Sequence, residues 1–261
     1  MKGKSIAIMS CVLLAAVAFG GCGFYSKLRA RDQLNKGVKA FTENEYSKAT
    51  EFFKTAVELD PDFEVARMYL ATAYTQQFVP GSPDPHSTEM AHKAIETFQQ
   101  VVDRNPEKPN LNAMISIASL YYQLKEFDKS KEWCAKIQQL DPTNADAMYR
   151  VAVIDFDESV SKTGLQGEGV EFMSQEEKER ILRNIDEGLA MLEKALQIKP
   201  DFFDAMEYQN LLWREKAKFE RDEAAKSKLL QQADLAAQKA LQLRLKAEEE
   251  AAKKPRKLTV K

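Results

Sequence analysis

The residues of this chain whose chemistry is easiest to recruit are few: two histidines, three cysteines and a cluster of glycines. His86 and His92 could ligate a metal, but they lack the i, i+4 spacing of a helical zinc pair, and no cysteine cluster accompanies them. They read as loop and helix-start histidines. Gly164, Gly167 and Gly169 could cradle a phosphate, but no strand pattern precedes them and no Gly-Lys-Ser/Thr follows. They read as a flexible loop between helices. Carboxylates are abundant, yet they are scattered at helical spacing beside Lys and Arg, as on solvated faces. No residue is nominated as nucleophile or general base, and no metal, cofactor or enzymatic activity is expected.

Cys11 lies inside an apolar stretch, leaving Cys22 and Cys134. With Cys22 otherwise engaged no disulfide framework is possible. Cys134 reads as a small apolar residue of a helix core. Charge is high but balanced, with Lys and Arg numbering 38 against 40 Asp and Glu. That balance gives no bulk attraction to nucleic acid. The basic run KKPRKLTVK (253–261) is short and has no interleaved aromatics, so it reads as a solvated terminus.

The amino terminus is organised differently from the rest. Lys2 and Lys4 precede an apolar stretch from Ile6 to Phe19, shorter than the ~20 residues of a bilayer-spanning helix and suited to the core of a signal peptide. It ends in FGGCGFY, which resembles the lipobox of bacterial lipoproteins, with Gly20 and Gly21 before Cys22 and Phe19 where that family usually has Leu. The resemblance implies a signal peptide over 1–21, lipidation of Cys22 and a tether over 22–29. Because Gly23 rather than Asp follows the cysteine, it also implies the bacterial cell envelope, at the periplasmic face of the outer membrane. Lys27, Arg29 and Arg31 oppose export. An ordinary cleavage site, or an uncleaved anchor carrying a cytoplasmic-facing adaptor, therefore stays open.

The elements come from a recurring phrase. VELDPDF, VDRNPEK, QQLDPTN and LQIKPDF surround Pro61, Pro106, Pro142 and Pro200. Counting back from each proline gives Ala56, Phe53 and Ala49, then Val101, Phe98 and Ala94, then Ile137, Cys134 and Ser130, then Ala195, Leu192 and Gly188. Small residues also recur earlier, at Gly37, Ala71, Ala118 and Ala152. A small side chain on each of two helices lets them approach closely, large ones fill the gap to the neighbouring pair, and the proline ends the second helix. Scarce glycine and proline favour helix throughout.

This register resembles the tetratricopeptide repeat, a helix-turn-helix unit of about 34 residues. The expected fold is all-α, a right-handed α-solenoid of about five such pairs, near 30–63, 64–108, 111–144, 145–202 and 203–248. Surplus length falls in inserts at 77–87 and 157–180, and a basic tail occupies 249–261. Ser174 followed by Glu177 predicts a capping box and an early helix start. In the fifth pair, Ala233, Ala237, Ala240, Leu243, Met206 and Trp213 keep the register, and the helices are expected to be long through 214–232.

Such a stack lines its concave groove with the first helices. By register the lining is Leu34, Val38 and Phe41, then Met68, Thr72 and Gln76, then Ile115, Ser119, Tyr122 and Gln123, then Tyr149, Val153 and Phe156. Repeat proteins that grip the acidic ends of heat-shock chaperones use Lys, Arg and Asn there. This chain has Leu34, Val38, Tyr69, Asn112 and Ser116, so the partner expected is a protein segment, helical or extended, with apolar or aromatic anchors. The expected function is a non-enzymatic, membrane-tethered interaction scaffold. The alternative is a small-molecule or enzymatic site under the 157–184 insert.

Overall fold

The proline phrase works as a turn with a repeated hydrogen-bond pattern. Asp60, Asp141 and Lys199, each just before its proline, donate their backbone N–H to Ala56, Ile137 and Ala195 at 3.1, 2.8 and 2.8 Å. Phe63, Asn144 and Phe202 then donate back to the pre-proline carbonyls at 3.0, 3.1 and 3.1 Å, and Lys108 repeats this bond to Asn105. The proline has no N–H to continue the helix, so the chain reverses there. Asn110 and Asn144 close two of these turns by accepting from the N–H of Ala113 and Ala147, which caps the next helix.

The computed structural model describes residues 23–253; the segment 1–21, Cys22 and residues 254–261 lie outside the described residues. Among the described residues there are ten α-helices and no strand. They are α1 (23–42), α2 (Tyr46–Leu59), α3 (Glu64–Thr75), α4 (Pro85–Asp103), α5 (Leu111–Gln123), α6 (Phe127–Leu140), α7 (Ala145–Thr163), α8 (Gln175–Ile198), α9 (Phe203–Ala217) and α10 (Glu223–Lys253). The fold is an all-α solenoid of helix pairs. The turns within the first and third pairs are alike: Asn44 and Lys125 take left-handed φ values of 61° and 62°. The following residues, Glu45 and Glu126, donate to Ala40 and Tyr121.

The chain divides into two compact units, one ending at Glu126 and one beginning at Phe127. In the first, α2 packs on α3, α3 on α4 and α4 on α5. Its core is built from the slots that the register singles out: Ala49, Phe53, Ala56, Ala71, Ala94, Phe98 and Val101 are buried. Gly37 shows why the slot is small, since a Cβ there would lie 2.4 Å from Cε1 of Phe53. In the second, α7 packs on α6, α8 and α9, and α9 on α8 and α10. Cys134, Ile137, Ala152, Ile185, Leu192, Ala195, Met206, Ala233 and Ala240 are buried there. Burying each of the larger side chains contributes about 1.5–3 kcal/mol.

Three boundaries differ from the sequence expectation. Residues 23–29 are not a separate tether but the first turns of α1, where Ser26 Oγ donates to the carbonyl of Leu59 at the end of α2. The early part of the 157–180 insert continues α7 as far as Thr163 and its end, from Gln175, already belongs to α8, so only 164–174 is loop, with a short 3-10 turn at Val170–Phe172. The long helices expected through 214–232 are interrupted at 218–222, where Asp222 accepts from the N–H of Ala225 at 2.7 Å and starts α10. The capping box at α8 is present, with Ser174 and Glu177 bonded reciprocally.

Ala56 tests the register, because it is fully buried between helices. Ala56→Glu is expected to destabilise the protein by about 3 kcal/mol or more, through overpacking and burial of an unpaired charge. Urea unfolding followed by helical circular dichroism measures this, and an unchanged midpoint would mean that residue 56 does not face the core.

Candidate functional site

A helix of a stack uses one face for its neighbours, and what the other face carries determines what it can bind. On α3 the core side is Ala66, Leu70, Ala71, Ala73 and Tyr74, and on α5 it is Ala113, Met114, Ile117, Ala118 and Leu120. The opposite sides hold the expected lining. Met68 and Thr72 are half-buried and Gln76 is exposed. Ser119, Tyr122 and Gln123 are half-buried, and Ile115 is exposed. On α1, Leu34, Val38 and Phe41 are half-buried, Phe41 meeting Tyr46 edge-on at 5.2 Å. Polar groups on this face bond locally: Thr72 donates to the Met68 carbonyl at 2.9 Å, and Gln123 to Ser119 at 3.3 Å. Val65 and Tyr69 extend the apolar row on α3 and are exposed, Tyr69 stacking on Phe53 at 5.4 Å. Val65 escapes the register because it precedes the small slot by too many residues to be paired with it.

The second unit does not present the residues assigned to it in the same way. Val153 is 4 % exposed and belongs to the core. Tyr149 and Phe156 are half-buried under α9: the Tyr149 ring lies 5.1 Å from Phe202 and 5.3 Å from Tyr208, and Phe156 lies 5.7 Å from Tyr208. The two T-shaped contacts with Tyr208 are favourable beyond their area. Burial pushes the Tyr149 hydroxyl above the usual tyrosine range, so it stays neutral. Tyr149 and Phe156 therefore hold α7 to α9, and Val153 fills the core, rather than forming an open lining.

The glycine insert is also committed. Gly164 caps α7 at φ 73° and donates to Val160 at 3.0 Å, while Gly169 donates to Thr163 at 2.8 Å. A Cβ at Gly169 would lie 2.1 Å from the Lys162 carbonyl oxygen. Amides that terminate a helix cannot also cradle a phosphate. Beneath them the buried Glu215 accepts from Ser159 at 3.2 Å and Thr163 at 2.8 Å and pairs with Lys218, which also donates to the Gly164 carbonyl at 2.7 Å. A cleft of about 660 Å³ adjoins this network, lined by Val170, Gln175, Lys178, Phe219 and Arg221 among others.

A second buried carboxylate contradicts the solvated-face reading of the acidic residues. Asp155 on α7 is fully buried; its Oδ1 accepts from Lys131 on α6, whose Nζ also lies 3.3 Å from Glu187 and 3.8 Å from Glu158. Asp155 Oδ2 has no hydrogen-bond partner and faces Gly188, where a Cβ would come within 3.1 Å of it. Burial pushes the Asp155 carboxyl up to about 7 against the opposing pull of Lys131. The nearby carboxylates hold the Lys131 ammonium above its ordinary value despite its burial. One lysine thus ties three helices together.

The remaining candidates are ordinary. Burial pushes the Cys134 thiol up to about 11, which keeps it protonated and unreactive. His86 stands in the first turn of α4, 3.6 Å from Glu89, and His92 is exposed on the same helix. Among the described residues no group of three or more His, Cys, Asp or Glu side chains is placed to hold a metal ion. None of the helices there is long and apolar enough to cross a membrane.

Residues 111–144, which run from α5 through α6, match the tetratricopeptide repeat family. That segment is a tetratricopeptide repeat. The fold of the chain is similar to solved structures of MamA: one is 17% identical, covering 82% of this chain and 96% of its own at a TM-score of 0.56. Another, also 17% identical, covers 89% and 98% at 0.57. MamA residues 41 to the end from Desulfovibrio magneticus RS-1 is 10% identical, covering 84% and 96% at 0.56. These likenesses are of fold. No curated protein matches the chain by sequence.

The Lys131 network gives a pH-dependent expectation. Because the folded-state value of Asp155 is raised, its contribution to stability is full below the unfolded value and is lost as pH rises toward 7. Above that, the ionised carboxylate depends on Lys131. Lys131→Met is expected to cost about 3 kcal/mol at about pH 8.5 and distinctly less at about pH 5, where Asp155 carries its proton. Urea unfolding at both pH values checks this; an equal cost would show that Lys131 does not support an ionised Asp155.

Proposed function

We propose that this protein is a non-enzymatic interaction scaffold, tethered to a membrane of a bacterial cell envelope, whose first unit binds a segment of a partner protein. The observation that carries the reading is the outward side of α3 and α5, where Val65, Tyr69, Ile115 and Tyr122 stand beside the uncharged Thr72, Gln76, Ser119 and Gln123, with Lys125 Nζ 5.6 Å from the Tyr122 ring centroid. Aromatic side chains give binding area at small entropic cost and recur as interface anchors. The partner is expected to be a helix or an extended segment with apolar or aromatic side chains. The buried ionisable groups support this division of labour, since Asp155, Glu215 and Lys218 are engaged in holding helices.

The tether is proposed from the sequence of residues 1–22: a basic start, an apolar stretch too short to span, and small residues before Cys22. Acyl chains on Cys22 contribute about 0.8 kcal/mol for each buried methylene, and more than one chain is needed for stable anchoring. The periplasmic face of the outer membrane is the location proposed, on the strength of Gly23. A second reading draws on the cleft beneath the insert, where Lys178 and Arg221 would favour a small anionic ligand.

Two measurements test the proposal. Mass spectrometry of the protein from its bacterial host is expected to find a mature chain beginning at an acylated Cys22; an intact Met1 would exclude lipoprotein processing and favour an anchored cytoplasmic-facing adaptor. Tyr69→Ala with Tyr122→Ala is expected to weaken capture of the physiological partner by about tenfold or more, with helical circular dichroism unchanged. Undiminished capture would remove the α3 and α5 face from the binding site.

A further inference from the structure

The first turns of α1 carry apolar residues that the core does not use. Phe24 is 74 % exposed, Tyr25 62 % and Leu28 55 %. On a helix these positions fall within about 100° of arc. Lys27, Arg29 and Arg31 flank the arc, and the Arg29 guanidinium lies 6.0 Å from the Tyr25 ring centroid. The surface is held in place, because Ser26 on the other side of the same turn donates to the Leu59 carbonyl at the end of α2. It follows directly on Cys22 and the apolar stretch Ile6–Phe19.

We propose that Phe24, Tyr25 and Leu28 lie in the interfacial layer of an anionic lipid bilayer, so that α1 meets the membrane at a set angle rather than hanging from a free linker. The inference rests on the membrane tether proposed above and adds the surface that contacts lipid. Aromatic rings settle at the headgroup level, and an amphipathic face sinks about 5–10 Å into the headgroup and acyl boundary. Lys27, Arg29 and Arg31 are placed beside the apolar trio, where anionic headgroups attract them. The adjoining tether selects lipid as the occupant: a chain held at Cys22 brings residue 24 to the bilayer surface before any other partner can reach it.

The test uses the full chain, purified from its host and reconstituted into vesicles of phosphatidylethanolamine and phosphatidylglycerol with brominated acyl chains. Phe24→Trp and Leu28→Trp report position, with the wild-type signal of Trp133 and Trp213 subtracted. Val79→Trp is the reference: residue 79 is 60 % exposed and follows the far end of α3 from the Leu59 turn. Loss of emission at 24 and 28 but not at 79 is expected. Vesicle flotation with unquenched 24 and 28 would overturn the lipid-contact surface and leave the tether standing. Failure to float would overturn both. A blue shift at 24 and 28 without quenching would place the trio against protein, and would also overturn the proposal.

Discussion

Two helices can lie close together only where one of them offers no bulk, and this structure rests on that condition. Gly37 receives the Phe53 ring at a distance that any Cβ would forbid. Gly188 is constrained in the same way, by Leu212 at 2.8 Å and by Asp155. Close approach at these points brings the larger residues of each turn into mutual contact, and it is their burial that opposes the chain entropy. Large residues alone would hold the helices apart, and the repeat would lose its register.

The same condition explains why so much of the fold could be read from residue types. Small and large slots alternate at helical spacing, and the turns use residues with few alternatives, so Ala49, Ala56, Ala94, Ile137 and Ala195 were identifiable as core before any coordinate. Asp155 and Glu215 were not, because a carboxylate beside lysines resembles a solvated one. A signal was nevertheless present: Asp155 continues the buried stripe through Met148, Ala152, Ser159 and Thr163, and Glu215 continues one through Ala205 and Leu212. A charged residue on a core stripe implies a buried partner, and the partners are Lys131 and Lys218.

Register places the face proposed for binding, but not its availability. Counting places Tyr149 and Phe156 on the same side of a first helix as Met68 or Ile115. It says nothing of Tyr208, whose ring comes from the next first helix and meets both. Aromatic side chains on such a face serve equally as anchors for a partner or as contacts between neighbours, and only placement separates the two roles. In the first unit Val65, Tyr69 and Ile115 remain exposed. In the second the equivalent helix is held from within.

These assignments also bear on the kind of recognition open to the protein. At the glycine insert the amides that could receive an anion terminate α7, and Lys218 is turned toward Glu215 and the Gly164 carbonyl. On α3 and α5 every interior amide belongs to the helix, so recognition there falls to side chains. Without a free sheet edge among the described residues, strand addition is unavailable. For the binding proposed on this face, selectivity would then come from the shape of an apolar row and from a few local hydroxyl and amide groups, which would favour a partner whose own anchors are spaced like theirs.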